Sequence, residues 1–335
     1  MKKSLFKANI TATGKYLPEK VVTNFDMEKL VDTDDAWIQA RTGIKERRMV
    51  KKGETTVDMS TQAALNLLNK NNISAEEIDV IIVATVTPDM ILPCSAALIQ
   101  KNIKAVNAWG YDLSAACSGF LFALETGATL IESGRYKKVM VIGADTMSSI
   151  LNYNDRNTCI LFGDGAGAVL LEPSDEYGII DSKLKIDGNG GKYLKVAGGG
   201  SLHPASYNTI DNNLHYVHQD GKTVFKYAVR GMSDISFDIA ERNNLKGEDI
   251  NLFIPHQANK RIIDATAKRL GLKESQVLIN IDKYANTTSA TIPICLAEAS
   301  ENNMINKGEN LIISTFGAGF SWGAMYLKWG SNNNE

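Results

Sequence analysis

Three polar side chains, each just beyond an apolar run, could together perform nucleophilic chemistry. Cys117 lies in Asp112-Leu113-Ser114-Ala115-Ala116-Cys117-Ser118-Gly119-Phe120, where an apolar run gives way to small residues and a helical pattern follows at Phe120, Leu121, Leu124 and Ala128. A thiol at a strand-to-helix junction feels the positive end of the helix dipole, which favours its thiolate, so a nucleophile is expected there. His256 follows Leu252-Phe253-Ile254-Pro255 and so stands at the carboxyl end of a buried strand, where open α/β sheets gather their ligands. Asn286, in Tyr284-Ala285-Asn286-Thr287-Thr288-Ser289, marks a third such place. The plain alternatives are a small core cysteine, a satisfied core histidine and a capping asparagine. The other cysteines read as structural: Cys159 and Cys295 sit in apolar segments and Cys94 follows Leu92-Pro93 in a turn. His203, His215 and His218 fall in a polar stretch, solvated or at most beside a substrate.

The elements that must position these groups repeat. Glu77 to Ala84 aligns with Glu248 to Pro255 at an offset of about 171 residues. The match continues through Ala105–Leu130 with Val277–Asn302, Lys137–Gly143 with Glu309–Thr315, and Gly165–Leu171 with Trp322–Leu327. In that register Cys117 aligns with Ser289, so Asn286 belongs to the same strand-to-helix junction in the second half, and pseudo-symmetry brings the two junctions face to face. Each half reads as helix, strand, helix, strand and a closing glycine-rich strand pair, with helical spacing over Thr56–Lys70 and Ala258–Leu270. The apolar runs Val80–Val86 and Val139–Gly143 need helical cover on both faces, which predicts an α/β fold of two similar halves, 1–175 and 176–335. The segment 187–222, rich in Gly, Asn, His and Tyr, is expected as a loop region serving as lid or tunnel wall. The turn Phe316-Gly317-Ala318-Gly319-Phe320-Ser321-Trp322-Gly323 could present backbone N–H groups that, with the Cys117 amide, form an oxyanion hole. Otherwise its glycines make a plain hairpin, as Gly163–Gly167 is expected to do in the first half.

Bulk properties narrow the class. With 335 residues, 36 basic against 38 acidic and a net charge of −2, a general nucleic-acid or anionic-membrane binder is disfavoured. The longest apolar runs fall far short of the roughly 20 residues that cross a bilayer. Four dispersed cysteines without a C-x-x-C pair argue against zinc or disulfides and for a reducing, cytoplasmic setting. Met1–Lys7, short and charged, shows no secretion signal.

These residues resemble the β-ketoacyl-acyl carrier protein synthase III family of the thiolase superfamily. The resemblance spans nearly the whole chain, through Trp37-Ile38, Arg41-Thr42-Gly43-Ile44, the Cys117 segment, Arg156, Phe162-Gly163-Asp164-Gly165-Ala166-Gly167, Pro255-His256-Gln257-Ala258-Asn259, the Asn286 segment and the Phe316–Gly323 turn. It implies a thiolase-like α/β fold layered α-β-α-β-α, a homodimer and a Cys117, His256, Asn286 triad. By the same resemblance Cys117 attacks an acyl-coenzyme A (acyl-CoA) primer, and its amide and that of Ala318, where the family often has Gly, hold the oxyanion. His256 and Asn286 assist decarboxylation of malonyl-acyl carrier protein. Trp37 and Arg156 would sandwich the adenine of CoA, with Arg41 in the same motif and Asn259 at the phosphopantetheine. Lys226, Arg230, Arg261, Lys268 and Arg269 resemble a basic patch for the acidic carrier protein; Arg261 and Lys268, seven apart, share a helix face. No metal or other cofactor is implied, CoA being part of a substrate. The activity implied is a decarboxylative Claisen condensation starting type II fatty-acid synthesis; a specialised enzyme making a quinolone, resorcinol or polyketide precursor is the alternative. Leu92, where many relatives carry Phe, would border the primer tunnel of the other subunit.

Overall fold

A computed structural model describes residues 6–331; most of the charged amino-terminal segment therefore lies outside the described residues. Two sheets form the frame. The first holds β1 (Lys7–Tyr16), β2 (Val80–Ala84), β3 (Trp109–Leu113), β4 (Val139–Asp145) and β5 (Gly165–Ser174) in the order β1-β5-β4-β2-β3. The second holds β6 (Gly178–Ile186), β7 (Leu252–Pro255), β8 (Asn310–Gly317) and β9 (Ser321–Lys328) in the order β7-β8-β9-β6. In both, the apolar central strands pair in parallel, β2 with β4 and β7 with β8; the edge strand β3 is also parallel to β2, while the β1/β5, β5/β4, β8/β9 and β9/β6 pairs are antiparallel.

The helices follow from the same apolar accounting. α1 (Thr56–Lys70) opens with a Thr55/Asp58 capping box, which satisfies two orphan N–H groups. It buries Met59, Ala63, Ala64 and Leu67 against the first sheet, with α2 (Ser95–Ile103) beside it. α3 (Gly119–Glu132) lies between the sheets with α6 (Thr291–Glu301), and its apolar residues join one core with β2, β4, β8 and β9. α4 (Gly221–Arg242) and α5 (Lys260–Leu270) cover the outer face of the second sheet. The order is thus helix, sheet, helix, sheet, helix, the layered thiolase-like α/β fold expected. Cys159 and Cys295 are core residues, while Cys94 is half-buried and starts α2.

Three local expectations need correction. The counterpart of β3 in the second half is not a strand: Ile281–Tyr284 is a helical turn, and Val277 keeps a single parallel bridge to Phe253. Gly163–Gly167 is not a hairpin turn, because β4 and β5 are joined by the long excursion 146–164 and Gly165 already lies in β5. Segment 187–222 is more ordered than a loop, with Leu194–Val196 paired to Val217–Gln219, a short helix Tyr207–Asp211, and α4 beginning at Gly221.

Candidate active site

Cys117 and His256 follow strands β3 and β7, and Asn286 follows the helical turn Ile281–Tyr284. Cys117 sits in a tight turn, Ala116–Ser118, between β3 and α3, with Ala116 at φ 48°. His256 directly follows β7, held by its N–H to Ser314 O at 2.8 Å. Asn286 is clamped by exchange with the 161–163 segment: its N–H donates to Leu161 O and its carbonyl accepts from Gly163 N–H, both at 3.0 Å. All three line one cavity of about 610 Å³, which also carries Trp37, Arg41, Arg156, Asn259 and Arg261. Residues as far apart in sequence as Trp37 and Gly317 thus share one chamber.

The electrostatics revise one expectation. Burial, reinforced by the charge of Asp145, pushes the Cys117 thiol up to about 12, although a hydrogen bond from Asn286 pulls the other way. The helix dipole does not leave a standing thiolate, because desolvation of a fully enclosed sulfur outweighs a dipole contribution of typically 0.3–1 kcal/mol. Burial lowers His256 to about 3, so its imidazole is neutral. Both its ring nitrogens are buried without a protein partner among the described residues. A neutral ring has one N–H and one bare nitrogen, and both are available to a substrate. The Asn286 Oδ1 accepts from Thr288 N–H at 2.9 Å, which fixes the amide with its NH₂ end toward the sulfur.

Gly317, rather than Ala318, lines the cavity, and a Cβ on Gly317 would lie 2.7 Å from the Cys117 nitrogen. Glycine is what lets β8 end against the nucleophile's amide. Ala318 follows it at the start of the β8–β9 turn, half-buried, its carbonyl accepting from Ser321 Oγ at 2.9 Å.

At the mouth, Trp37 and Arg41 come from the helix Asp35–Thr42, which Gly43 ends at φ 84°. A Cβ at Gly43 would meet the Lys260 Cβ at 2.7 Å, so this turn requires glycine both for its left-handed backbone and for the approach of α5. That approach lets Asn259 cap α5 through Arg261 N–H and donate to Arg41 O at 2.9 Å. The Arg156 and Arg41 guanidiniums stand 5.6 and 5.8 Å from the Trp37 ring centre. Of the five basic-patch residues only Arg261 reaches the cavity, its guanidinium 4.7 Å from the Phe225 ring. Lys226, Arg230, Lys268 and Arg269 are exposed on α4 and α5; Arg230 faces Asp234 at 3.6 Å and Arg269 covers Phe237. Leu92 is exposed and does not line this chain's cavity, nor do His203, His215 and His218.

From the segment 187–222, expected as a lid or wall, Leu194, Gln219, Gly221 and Lys222 line the cavity, Lys222 adding a cation. Beyond it, Val224, Phe225, Ala228 and Met232 from the first turns of α4 form an apolar wall that escaped the sequence reading. Their helical spacing was a visible signal; the face they present was not. Gln257 holds the 278–281 segment through Leu278 O, Asn280 N–H and Ile281 N–H. Among the described residues no group of three His, Cys, Asp or Glu could hold a metal ion, and no helix is long and apolar enough to cross a membrane.

Comparisons with known proteins show the family. Models of 3-oxoacyl-[acyl-carrier-protein] synthase III match residues 111–188, and of its C-terminal part residues 240–329. The β-ketoacyl-[acyl-carrier-protein] synthase III of Chlorobaculum tepidum is 57% identical over 96% of this chain and 99% of its own length. That of Koribacter versatilis is 53% identical, covering 97% and 99%. The crystal structure of the 3-oxoacyl-[acyl-carrier-protein] synthase III of Aquifex aeolicus superposes with a TM-score of 0.88 at 42% identity, covering 96% of this chain and 100% of that one. The chain belongs to the β-ketoacyl-[acyl-carrier-protein] synthase III family, condensing acyltransferases of the thiolase fold.

Proposed function

We propose that Cys117, His256 and Asn286 carry out the family's initiating condensation in two steps. An acyl-CoA primer acylates Cys117, and the acyl-enzyme then condenses with malonyl-acyl carrier protein, releasing CO₂ and 3-oxoacyl-acyl carrier protein to start fatty-acid synthesis. The observation that carries this is the single cavity holding a thiol, a neutral unpartnered imidazole and an oriented carboxamide.

The first step needs no standing thiolate. The thiol proton leaves as the carbonyl is attacked and ends on the CoA sulfur, so one thiol replaces another at no net charge. The oxyanion is met by the Cys117 N–H and, on the adjoining turn, that of Ala318, each donor supplying on the order of 3 kcal/mol. In the second step the His256 N–H and the Asn286 NH₂ hold the malonyl thioester oxygen as CO₂ departs and an enolate forms. A neutral His256 donates there without becoming an acid strong enough to protonate the carbanion. Storing the acyl group on sulfur while the second substrate enters gives ping-pong kinetics.

Trp37 and Arg156 present flat faces for adenine, and Arg41, Lys222 and Arg261 meet the phosphates. Asn259 retains one amide hydrogen for the pantetheine arm. Exposed Lys226, Arg230, Lys268 and Arg269 continue the positive face toward an acidic carrier protein. Acyl-CoA serves as substrate and no cofactor is required, in keeping with a cytoplasmic enzyme. The division into halves at residue 175 rests on the partition of the two sheets. The edge strand β3, unpaired on its outer side with Trp109 exposed, and exposed Met90, Ile91, Leu92 and Val106 support a homodimer built on that edge. Product formation with purified malonyl-carrier protein, set against malonyl-CoA alone, tests the reading: carrier-dependent 3-oxoacyl product is expected, and condensation indifferent to the carrier contradicts it.

A further inference from the structure

Asp145 ends β4 fully buried and does not line the cavity. Its Oδ1 accepts from Thr85 Oγ1 at 3.1 Å, Val86 N–H at 2.8 Å and Thr87 Oγ1 at 3.0 Å. Its Oδ2 accepts from Ser289 N–H at 3.1 Å, Ser289 Oγ at 2.5 Å and the Thr288 hydroxyl. Six donors on one carboxylate make a complete anion seat, and a paired charge of this kind is how burial is tolerated.

The two junctions of the molecule make this seat informative. Ala116–Ser118 and Thr288–Ala290 are matching tight turns, led by Ala116 at φ 48° and by Thr288 at φ 50°. Each packs against the end of a central strand from the other sheet: the Cys117 turn against β8, the Ser289 turn against β4. At the first, Gly317 stands over the Cys117 amide with no side chain. At the second, the corresponding strand end is Asp145, whose carboxylate takes the Ser289 amide. The nucleophile's N–H is thereby left facing a glycine, whereas its pseudo-symmetric counterpart is capped by an internal anion.

We propose that Asp145 is a positioning residue: its carboxylate occupies, at the second junction, the anion seat that Gly317 leaves open at Cys117, and so fixes the Asn286 turn and holds a negative charge on the turn that packs against that of Cys117. The link to Asn286 is short, since the Thr288 N–H that orients the Asn286 Oδ1 belongs to a residue whose hydroxyl binds Asp145. Around Cys117 the other polar groups are neutral: His256, Asn286 and the hydroxyls of Ser118, Thr315 and Ser321. Burial raises the thiol most, and Asp145 is the charge that adds to it. Asp164 in turn feels the charge of Asp145, and the cations Arg41, Arg156, Lys222 and Arg261 line the same cavity. The inference deepens the reading of Cys117 as nucleophile and rests on it.

The test is the pH dependence of Cys117 alkylation by iodoacetamide, read by peptide mass, in the full-length enzyme. Asp145→Asn should move the midpoint down by about one pH unit, a roughly tenfold faster reaction at any pH below both midpoints. Ser289→Ala, which strips a donor and leaves the charge less neutralised, should move it up by about half a unit. The same Asp145→Asn enzyme should keep acylation by acetyl-CoA while decarboxylation of malonyl-carrier protein falls about tenfold, because the Asn286 turn is loosened. Unmoved midpoints, or shifts of the same sign in both variants, overturn the proposal; Ser289→Ala alone decides the matter if Asp145→Asn does not fold. A wild-type enzyme that alkylates as expected yet never carries an acyl group on Cys117 would sink the nucleophile assignment and leave the electrostatic one standing.

Discussion

At the residue scale the site is defined by what burial does to three ordinary side chains. Cys117 is held as a thiol chiefly by loss of water, with the charge of Asp145 adding to it, and His256 as a neutral ring by loss of water alone. Cys117→Ala should therefore abolish the acyl adduct. His256→Ala or Asn286→Ala should lower malonyl decarboxylation by about 100-fold, the worth of one such donor, while sparing acylation; separate assays of the two half-reactions check this, and equal loss in both contradicts the division. His256 also bears on stability. An unfolded imidazole takes up a proton below about 6.5, whereas the buried one does so only near 3. The unfolded state binds more protons between those values, so this contribution to stability is full above 6.5 and is lost as pH falls toward 3, at up to about 1.4 kcal/mol per pH unit. Urea unfolding across that window should be less pH-dependent in His256→Asn than in wild type. Cys117 and His256 were legible as polar residues following strands and Asn286 through the repeat register, and one cavity gathers them, but the sign of the thiol's shift was not legible. That sign depends on enclosure by segments hundreds of residues away, which no local pattern carries.

At the scale of elements, two glycines decide how closely parts may approach. Gly317→Ala would drive a methyl carbon to 2.7 Å from the Cys117 nitrogen, so β8 must retreat from the nucleophile. Condensation should fall by about 100-fold, as for loss of an oxyanion donor, with the fold retained by circular dichroism. Gly43→Ala combines a left-handed backbone with contact on Lys260 and should cost about 1–2 kcal/mol of stability. It should also raise KM for acyl-CoA, because the Arg41–Asn259 hydrogen bond ties the adenine helix to α5. Helices were the readable elements: the spacing over Thr56–Lys70 and the apolar stripe of α5 both emerge as expected. The β3 counterpart was misread because Val277–Leu278 keeps one bridge and the next residues fold into the turn that Gln257 holds. Side-chain hydrogen bonding at long range overrode a local strand pattern there.

Across the whole molecule, the internal repeat foretold two similar α/β halves and the family resemblance their layering, and the structure joins β2, β4, β8 and β9 with α3 and α6 in one core. What the repeat could not foretell was its asymmetry, with one junction open at Gly317 and the other filled by Asp145. The exposed edge of β3 sets a further expectation. Light scattering at micromolar concentration should return twice the chain mass, and a fully active monomer would contradict pairing on that edge. The account as a whole is tested most directly by intact mass of the enzyme mixed with acetyl-CoA and then with malonyl-carrier protein. A single acetyl addition that maps to the Cys117 peptide, vanishes on the second mixing and is absent from Cys117→Ala is the result it predicts. An acetyl group that forms elsewhere, or stays in place while 3-oxoacyl product accumulates, would contradict it.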